Sequence, residues 1–156
     1  MLDNSEAQIK DLMRYIKGPD FPTGGIICGR EGINEAYNTG KGKITLRAKI
    51  NIEHQKSGKD WIVISEIPYQ VNKTNLIETI AGLVTEKKAE GITDIRDESD
   101  KDGMRVVLEL RRDTEPQIVI NYLYKHTPLE VTYGVIMLAL VNSRPRILNL
   151  KETMLQ

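Results

Sequence analysis

From Lys43 to His54 the chain alternates: Ile44, Leu46, Ala48, Ile50 and Ile52 fall on one side, and Lys43, Thr45, Arg47, Lys49 and Asn51 on the other. Successive side chains of a strand point to opposite faces, so this pattern predicts a half-buried strand. It commits the fold to a sheet with one covered face, and the later segments must supply the rest of the sheet and its cover. Lys56-Ser57-Gly58-Lys59 is a turn. Trp61 to Ile67 reads as a second strand. It is more uniformly apolar and therefore more central, and Pro68 stops it.

The period then changes. Leu76, Ile77, Ile80, Leu83 and Val84 form the stripe of an amphipathic helix over 72–88. Asn72 is its candidate N-cap, and Lys87 and Lys88 suit the C-terminal end of its dipole. Ile92 to Asp97 and Met104 to Arg111 read as strands joined through Asp102-Gly103, a hairpin signal. The spacing predicts a second helix over 114–125, with Thr114 as cap, Gln117 placed as in a capping box and Pro116 in the first turn. Leu129 to Val141 reads as strand, Ser143-Arg144-Pro145 as a turn, Arg146 to Leu148 as a segment that pairs back, and Asn149 as the cap of a helix cut short at Gln156.

The order is β-α-β-β-α-β preceded by an extra strand. This predicts an α+β domain, an antiparallel-rich sheet with helices on one face. Before it, Asp3 to Lys17 reads as a short helix capped by Asn4 or Ser5, with Ile9, Leu12, Met13 and Ile16 as its stripe, ended by Gly18-Pro19. Residues 18–42 hold seven glycines and two prolines, which argues against a long regular element. Phe21, Ile26, Ile27, Ile33 and Tyr37 make the stretch too apolar for a linker, so it reads as an ordered loop, with one or two helical turns over 32–37. The expected organisation is 1–42 as N-terminal helix and Gly/Pro-rich segment, 43–148 as the α+β domain, and 149–156 as the start of a truncated helix.

Composition narrows the chemistry. One cysteine, Cys28, excludes a disulfide within the chain, and Cys28 with His54 and His126 is too few for a zinc site. No apolar run approaches the roughly 20 residues of a membrane span. Met1 to Glu6 lacks the basic and apolar regions of a secretory signal, so the expected compartment is the cytoplasm, with no membrane partner.

Glu98, Asp100, Asp102, Gly103 and Glu109 match five positions of a calcium-binding EF-hand loop. Against this, the first position is Glu, the flanks are strands, and Arg105 takes the usual apolar position. The segment reads as a polar hairpin tip. Lys41 and Lys43 lie near glycines, but neither is followed by Ser or Thr, so no phosphate-binding P-loop is present. No nucleophile motif is visible, and the expected catalytic and metal residues are none.

With 22 basic and 22 acidic residues the net charge is zero, but the charges are segregated. Seven basic residues stand against three acidic over 26–59, and four against seven over 86–102. Lys43, Arg47 and Lys49 share one strand face. Such a row suits phosphate and also describes a solvated sheet face; the residues alone favour the solvated face.

Longer blocks then stand out. They are Gly18-Pro19-Asp20-Phe21-Pro22-Thr23, Gly32-Ile33 with Ala36-Tyr37, Thr39-Gly40-Lys41-Gly42, and Glu66-Ile67-Pro68-Tyr69-Gln70-Val71-Asn72-Lys73. Arg96-Asp97-Glu98-Ser99-Asp100 with Gly103-Met104-Arg105, and Asn149-Leu150-Lys151-Glu152, complete the set. In this order they resemble the A subunits of type IIA DNA topoisomerases, DNA gyrase above all. The corresponding topoisomerase IV subunit is the alternative.

The resemblance implies an isomerase that cuts one duplex, passes another through and reseals it, adding negative supercoils with ATP. Its partners would be double-stranded DNA, a second A subunit, and the gyrase B subunit. ATP and magnesium would be held on the B subunit, with no cofactor here. The covered region resembles the tower domain, an α+β module supporting the bent duplex. The family's catalytic tyrosine follows an arginine and precedes a threonine. Arg14-Tyr15-Ile16 breaks that pattern, and Tyr122 sits on an apolar helix, so this stretch is expected to be an inactive fragment. The resemblance also turns the basic strand into a DNA-binding expectation: Lys41, Lys43 and Arg47 first, then Asn72, Lys73 and Arg30. The competing expectation is a structural spacer that touches DNA little.

Overall fold

The computed structural model describes residues 6–156. The expected caps Asn4 and Ser5 and the expected helix start at Asp3 lie outside the described residues. The chain runs α1 (Ile9–Leu12), β1 (Ile26–Cys28), α2 (Glu31–Thr39), β2 (Lys41–Arg47), β3 (Lys49–His54), β4 (Asp60–Glu66) and α3 (Lys73–Thr85). It continues with β5 (Ile92–Asp97), β6 (Val106–Leu110), α4 (Pro116–His126), β7 (Glu130–Ile136), β8 (Leu138–Val141), β9 (Arg144–Ile147) and α5 (Leu150–Met154). The strands form sheets of order β3-β4-β6-β5, β1-β2-β7 and β8-β9. The class is α+β, as the pattern predicts.

One compact unit comprises Phe21–Ile26 and Leu46–Val131. Its four-stranded sheet is antiparallel throughout, with Ile62 opposite Leu108, Ile64 opposite Val106, and Ile92 opposite Leu110. These residues cluster with Leu76 and Ile80 of α3 and with Val119, Ile120 and Leu123 of α4, so both helices cover one face. Each aliphatic side chain withdrawn from water here contributes roughly 1.5–3 kcal/mol. Asn72 caps α3 by accepting from the Asn75 N–H at 3.0 Å. Thr127 ends α4: its hydroxyl donates to the Leu123 carbonyl at 2.6 Å and accepts from the Leu129 N–H at 3.3 Å.

Three expectations change in this unit. The alternating strand divides at Ala48 into β2 and β3. Fully buried, Ala48 donates its N–H to the Leu129 carbonyl and accepts from the Tyr124 hydroxyl, which takes its backbone out of the ladder. The α4 cap is Glu115 rather than Thr114; the Glu115 carboxylate accepts from the Gln117 N–H. Gln117 spends its own amide on Asn121 instead of closing a capping box. The last strand of the β-α-β-β-α-β pattern, β7, belongs to the sheet with β1 and β2, while the extra strand β3 takes an edge of the four-stranded sheet.

The other unit comprises Ile27–Thr45, Thr132–Gln156 and the described residues before Phe21. Here α1 is shorter than expected. After Leu12 the bonds tighten, with Arg14 and Tyr15 donating to the carbonyls three residues back. α2 is longer than expected, because its glycine belongs inside the helix. A Cβ at Gly32 would lie 1.9 Å from the Lys43 carbonyl oxygen, so the helix can pass this close only with glycine there. Ile33, Ala36 and Tyr37 form its buried stripe, and Gly40 closes it in the left-handed region at φ +81°.

The expected strand over 129–141 breaks at Met137. There the N–H donates to the Gly40 carbonyl and the carbonyl accepts from the Leu148 N–H. The turn also moves: Asn142 and Ser143 take positive φ, and Arg144 and Pro145 already belong to β9. Pro145 is tolerated in this two-stranded ribbon because its missing donor faces no further strand. Asn149 caps α5 as expected, in a reciprocal box with Glu152.

Candidate nucleic-acid interface

β2 begins where Gly40 releases the chain from α2. The Thr39 hydroxyl fixes this corner: it lies 2.8 Å from the carbonyl oxygens of Glu35 and Lys41 and accepts from the Lys41 N–H at 3.2 Å. Along β2, Gly42 and Ile44 are buried while Lys41 and Lys43 are exposed. A Cβ at Gly42 would meet the Gly32 carbonyl oxygen at 2.4 Å, so this side of the strand is pressed onto α2. Lys41 and Lys43 project from the other side, two residues and about 7 Å apart along the strand. No carboxylate among the described residues pairs with either.

The remaining expected site residues lie in different surroundings. Arg47, at the end of β2, is ion-paired through Nε with Glu130, and its guanidinium lies 4.7 Å from the centre of the Tyr124 ring. Asn72 spends its side-chain oxygen on the α3 cap. Lys73 Nζ lies 2.8 Å from Asp97 Oδ2; Lys73, with a further contribution from Ser99, holds the Asp97 carboxyl down at about 2. Arg30 precedes the first residue of α2 and is exposed, with no side-chain hydrogen bond to the helix. It lines a cavity with Lys10, Arg14 and Lys17.

The face of the four-stranded sheet away from its helices is charged but internally neutralised. Arg105 grips Glu53 through two bonds of 2.9 Å, which lowers the Glu53 pKa and raises that of Arg105. Glu109 sits between Lys59 at 2.8 Å and Arg96 at 3.1 Å, and both lower its pKa. Arg96 also pairs with Asp94 and covers the Trp61 ring at 4.8 Å. Of the acidic residues over 86–102, these pairs engage Asp94.

The segment that mimics a calcium loop is a closed hairpin tip. Asp100 Oδ1 accepts from the Asp102 N–H, Asp97 Oδ1 from the Ser99 N–H, and Ser99 Oγ from the Arg105 N–H. Glu109, at the twelfth position, faces Lys59 and Arg96. Among the described residues, no three His, Cys, Asp or Glu side chains converge as for a metal ion. Cys28 is a half-buried free thiol on β1. Tyr15 is exposed, and the Tyr122 ring lies against His126.

Lys10, Arg14 and Lys17 escape the charge pattern read from the sequence. Their signal is a spacing of four and three residues, which places them on one side of a helical turn.

Comparison with known proteins adds independent observations. The family model for the A subunits of DNA gyrase and topoisomerase IV matches residues 1–156. The gyrase A subunit of Clostridium acetobutylicum is 59% identical over 152 residues, covering 97% of this chain and 18% of that relative. That of Brachyspira hyodysenteriae is 57% identical with the same coverages, and that of Salmonella typhimurium is 53% identical, over 97% of this chain and 17% of its own length. The chain spans less than a fifth of the curated relatives it matches.

Proposed function

The chain belongs to the family of DNA gyrase and topoisomerase IV A subunits, and from that premise we propose that it is the part of a gyrase A subunit that supports the cleaved duplex and touches its backbone through Lys41 and Lys43. The observation that carries this reading is the pair itself: two exposed ammonium groups on a strand whose other side is pressed onto α2, with no carboxylate partner among the described residues. Lysines held this way meet phosphates as point charges and read no sequence, as suits a protein that must act along any DNA.

The other expected contacts enter the proposal unequally. Arg30 is free to take part. Arg47 must share its charge with Glu130, Lys73 must leave Asp97, and Asn72 must give up its cap. The internal pairing of so many charges also favours, as a second reading, a spacer that touches DNA only at Lys41 and Lys43.

In the whole enzyme, this stretch would serve ATP-dependent double-strand passage and negative supercoiling, with a second A subunit, the gyrase B subunit, and double-stranded DNA as its partners. ATP and magnesium would belong to the B subunit. The nucleophilic tyrosine would lie outside this stretch, leaving the piece inactive alone. In the complete enzyme, with its A and B subunits together, Lys41→Glu with Lys43→Glu is expected to lower supercoiling severalfold without loss of folded protein. Unchanged supercoiling would overturn the assignment.

A further inference from the structure

A second cationic feature lies away from β2. Lys10, Arg14 and Lys17, from α1 and the turns that follow it, and Arg30, from the start of α2, surround a cavity of about 380 Å³. Met13 and Ile33 add apolar lining, and no carboxylate is among its described lining residues. Arg14 approaches Asp11 only at 3.9 Å, with its side chain about three-quarters exposed, so that contact does little to cancel its charge. Lys10, Lys17 and Arg30 have no ion-pair partner among the described residues. The contrast with the four-stranded sheet is plain, because there Arg96 and Arg105 each meet two carboxylates.

Four like charges around one concavity repel one another and raise the local potential, and a multivalent anion relieves both effects. Two guanidinium groups offer paired donors that fit phosphate oxygens, and two ammonium groups add point charge without demanding one geometry. A singly charged carboxylate would leave most of this charge uncompensated; a phosphate chain would not.

We propose that this cavity is a phosphate-binding site for a polyanion. The shared chemistry is the phosphate oxyanion, supplied either by a DNA backbone or by a free oligophosphate. The site stands apart from the reading of β2, since none of its residues lies on that strand and it can bind phosphate whether or not Lys41 and Lys43 touch DNA.

The test is titration of the 15N-labelled chain with inorganic pyrophosphate, followed by amide shifts, in the wild type, in Lys10→Gln/Arg14→Gln/Lys17→Gln, and in Lys41→Gln/Lys43→Gln. The expected result is saturable shifts around residues 10–17 and 30–34. They should weaken at least tenfold in the triple variant and persist in the β2 variant. The same spectra report whether each variant remains folded, and Arg30→Gln alone should weaken binding severalfold if a variant of α1 does not fold. Displacement of pyrophosphate by duplex DNA would assign the site to a backbone phosphate. Pyrophosphate binding without displacement would assign it to a free oligophosphate, and both results support the site. Absence of saturable shifts, equal binding by the triple variant, or equally tight binding of a glutamate oligomer would overturn it.

Discussion

Lys73 Nζ lies 2.8 Å from Asp97 Oδ2, joining the first residue of α3 to the last residue of β5. The Asp97 carboxyl is lowered from 3.8 to about 2, by Lys73 first and Ser99 second. A depressed carboxylate pKa contributes stability above the unfolded value, and that contribution disappears as pH falls through the folded one. The window is therefore between about pH 4 and pH 2. Both side chains are about one-third exposed, so solvent screening keeps the effect small. Asp97→Asn is expected to lower stability at pH 6 and to have a much smaller effect near pH 2, as read by urea unfolding at the two values.

Gly32→Ala tests whether α2 is pinned to β2. Alanine favours a helix interior by about 1 kcal/mol over glycine. Here its methyl group would meet the Lys43 carbonyl oxygen at 1.9 Å, and backbone cannot yield as a flexible side chain can. The substitution should destabilise by about 2 kcal/mol or more, as overpacking does, with a lower thermal midpoint. A neutral or stabilising result would show that α2 and β2 are not pressed together.

Glu130→Gln should loosen the hold on Arg47. The guanidinium is ion-paired with Glu130 and lies over the Tyr124 ring, and the substitution removes the carboxylate charge beside it. With one acidic charge fewer beside the basic strand, duplex binding is expected to tighten, and its salt slope to steepen. Anisotropy titrations of a labelled duplex at several salt concentrations read both quantities.

Asn72→Ala separates capping from DNA contact. Loss of the bond to the Asn75 N–H should cost about 1 kcal/mol. Duplex affinity should remain within about twofold, because the side-chain oxygen is already committed within the protein.

The elements that depend on local pattern are legible in the residues themselves. The apolar run over 61–67 marks the central strand β4, the stripe from Leu76 to Val84 marks α3, and Asn72 and Asn149 are recognisable as caps. What stays hidden depends on partners distant in sequence. Ala48 continues the alternation without a break, yet its hydrogen bonds go to Leu129 and Tyr124, so the strand divides there. Glycine content masks α2, because Gly32 is placed by Lys43 and not by a turn. Arg47 and Lys73 are visible as cations, but their carboxylate partners, Glu130 and Asp97, lie far along the chain. Lys41 and Lys43 can be read because alternation alone puts them on the exposed side. The cavity of Lys10, Arg14 and Lys17 needs Arg30 from the start of the next helix.

The central claim is that Lys41 and Lys43 touch phosphate. Its most direct measurement is titration of this chain and of Lys41→Glu/Lys43→Glu with a labelled duplex at about 50 and about 200 mM salt. Two phosphate contacts predict a slope of about −2 from this pair, a fall in affinity of about tenfold across that range that the variant loses. Equal affinity and equal salt dependence in the two proteins would contradict the account.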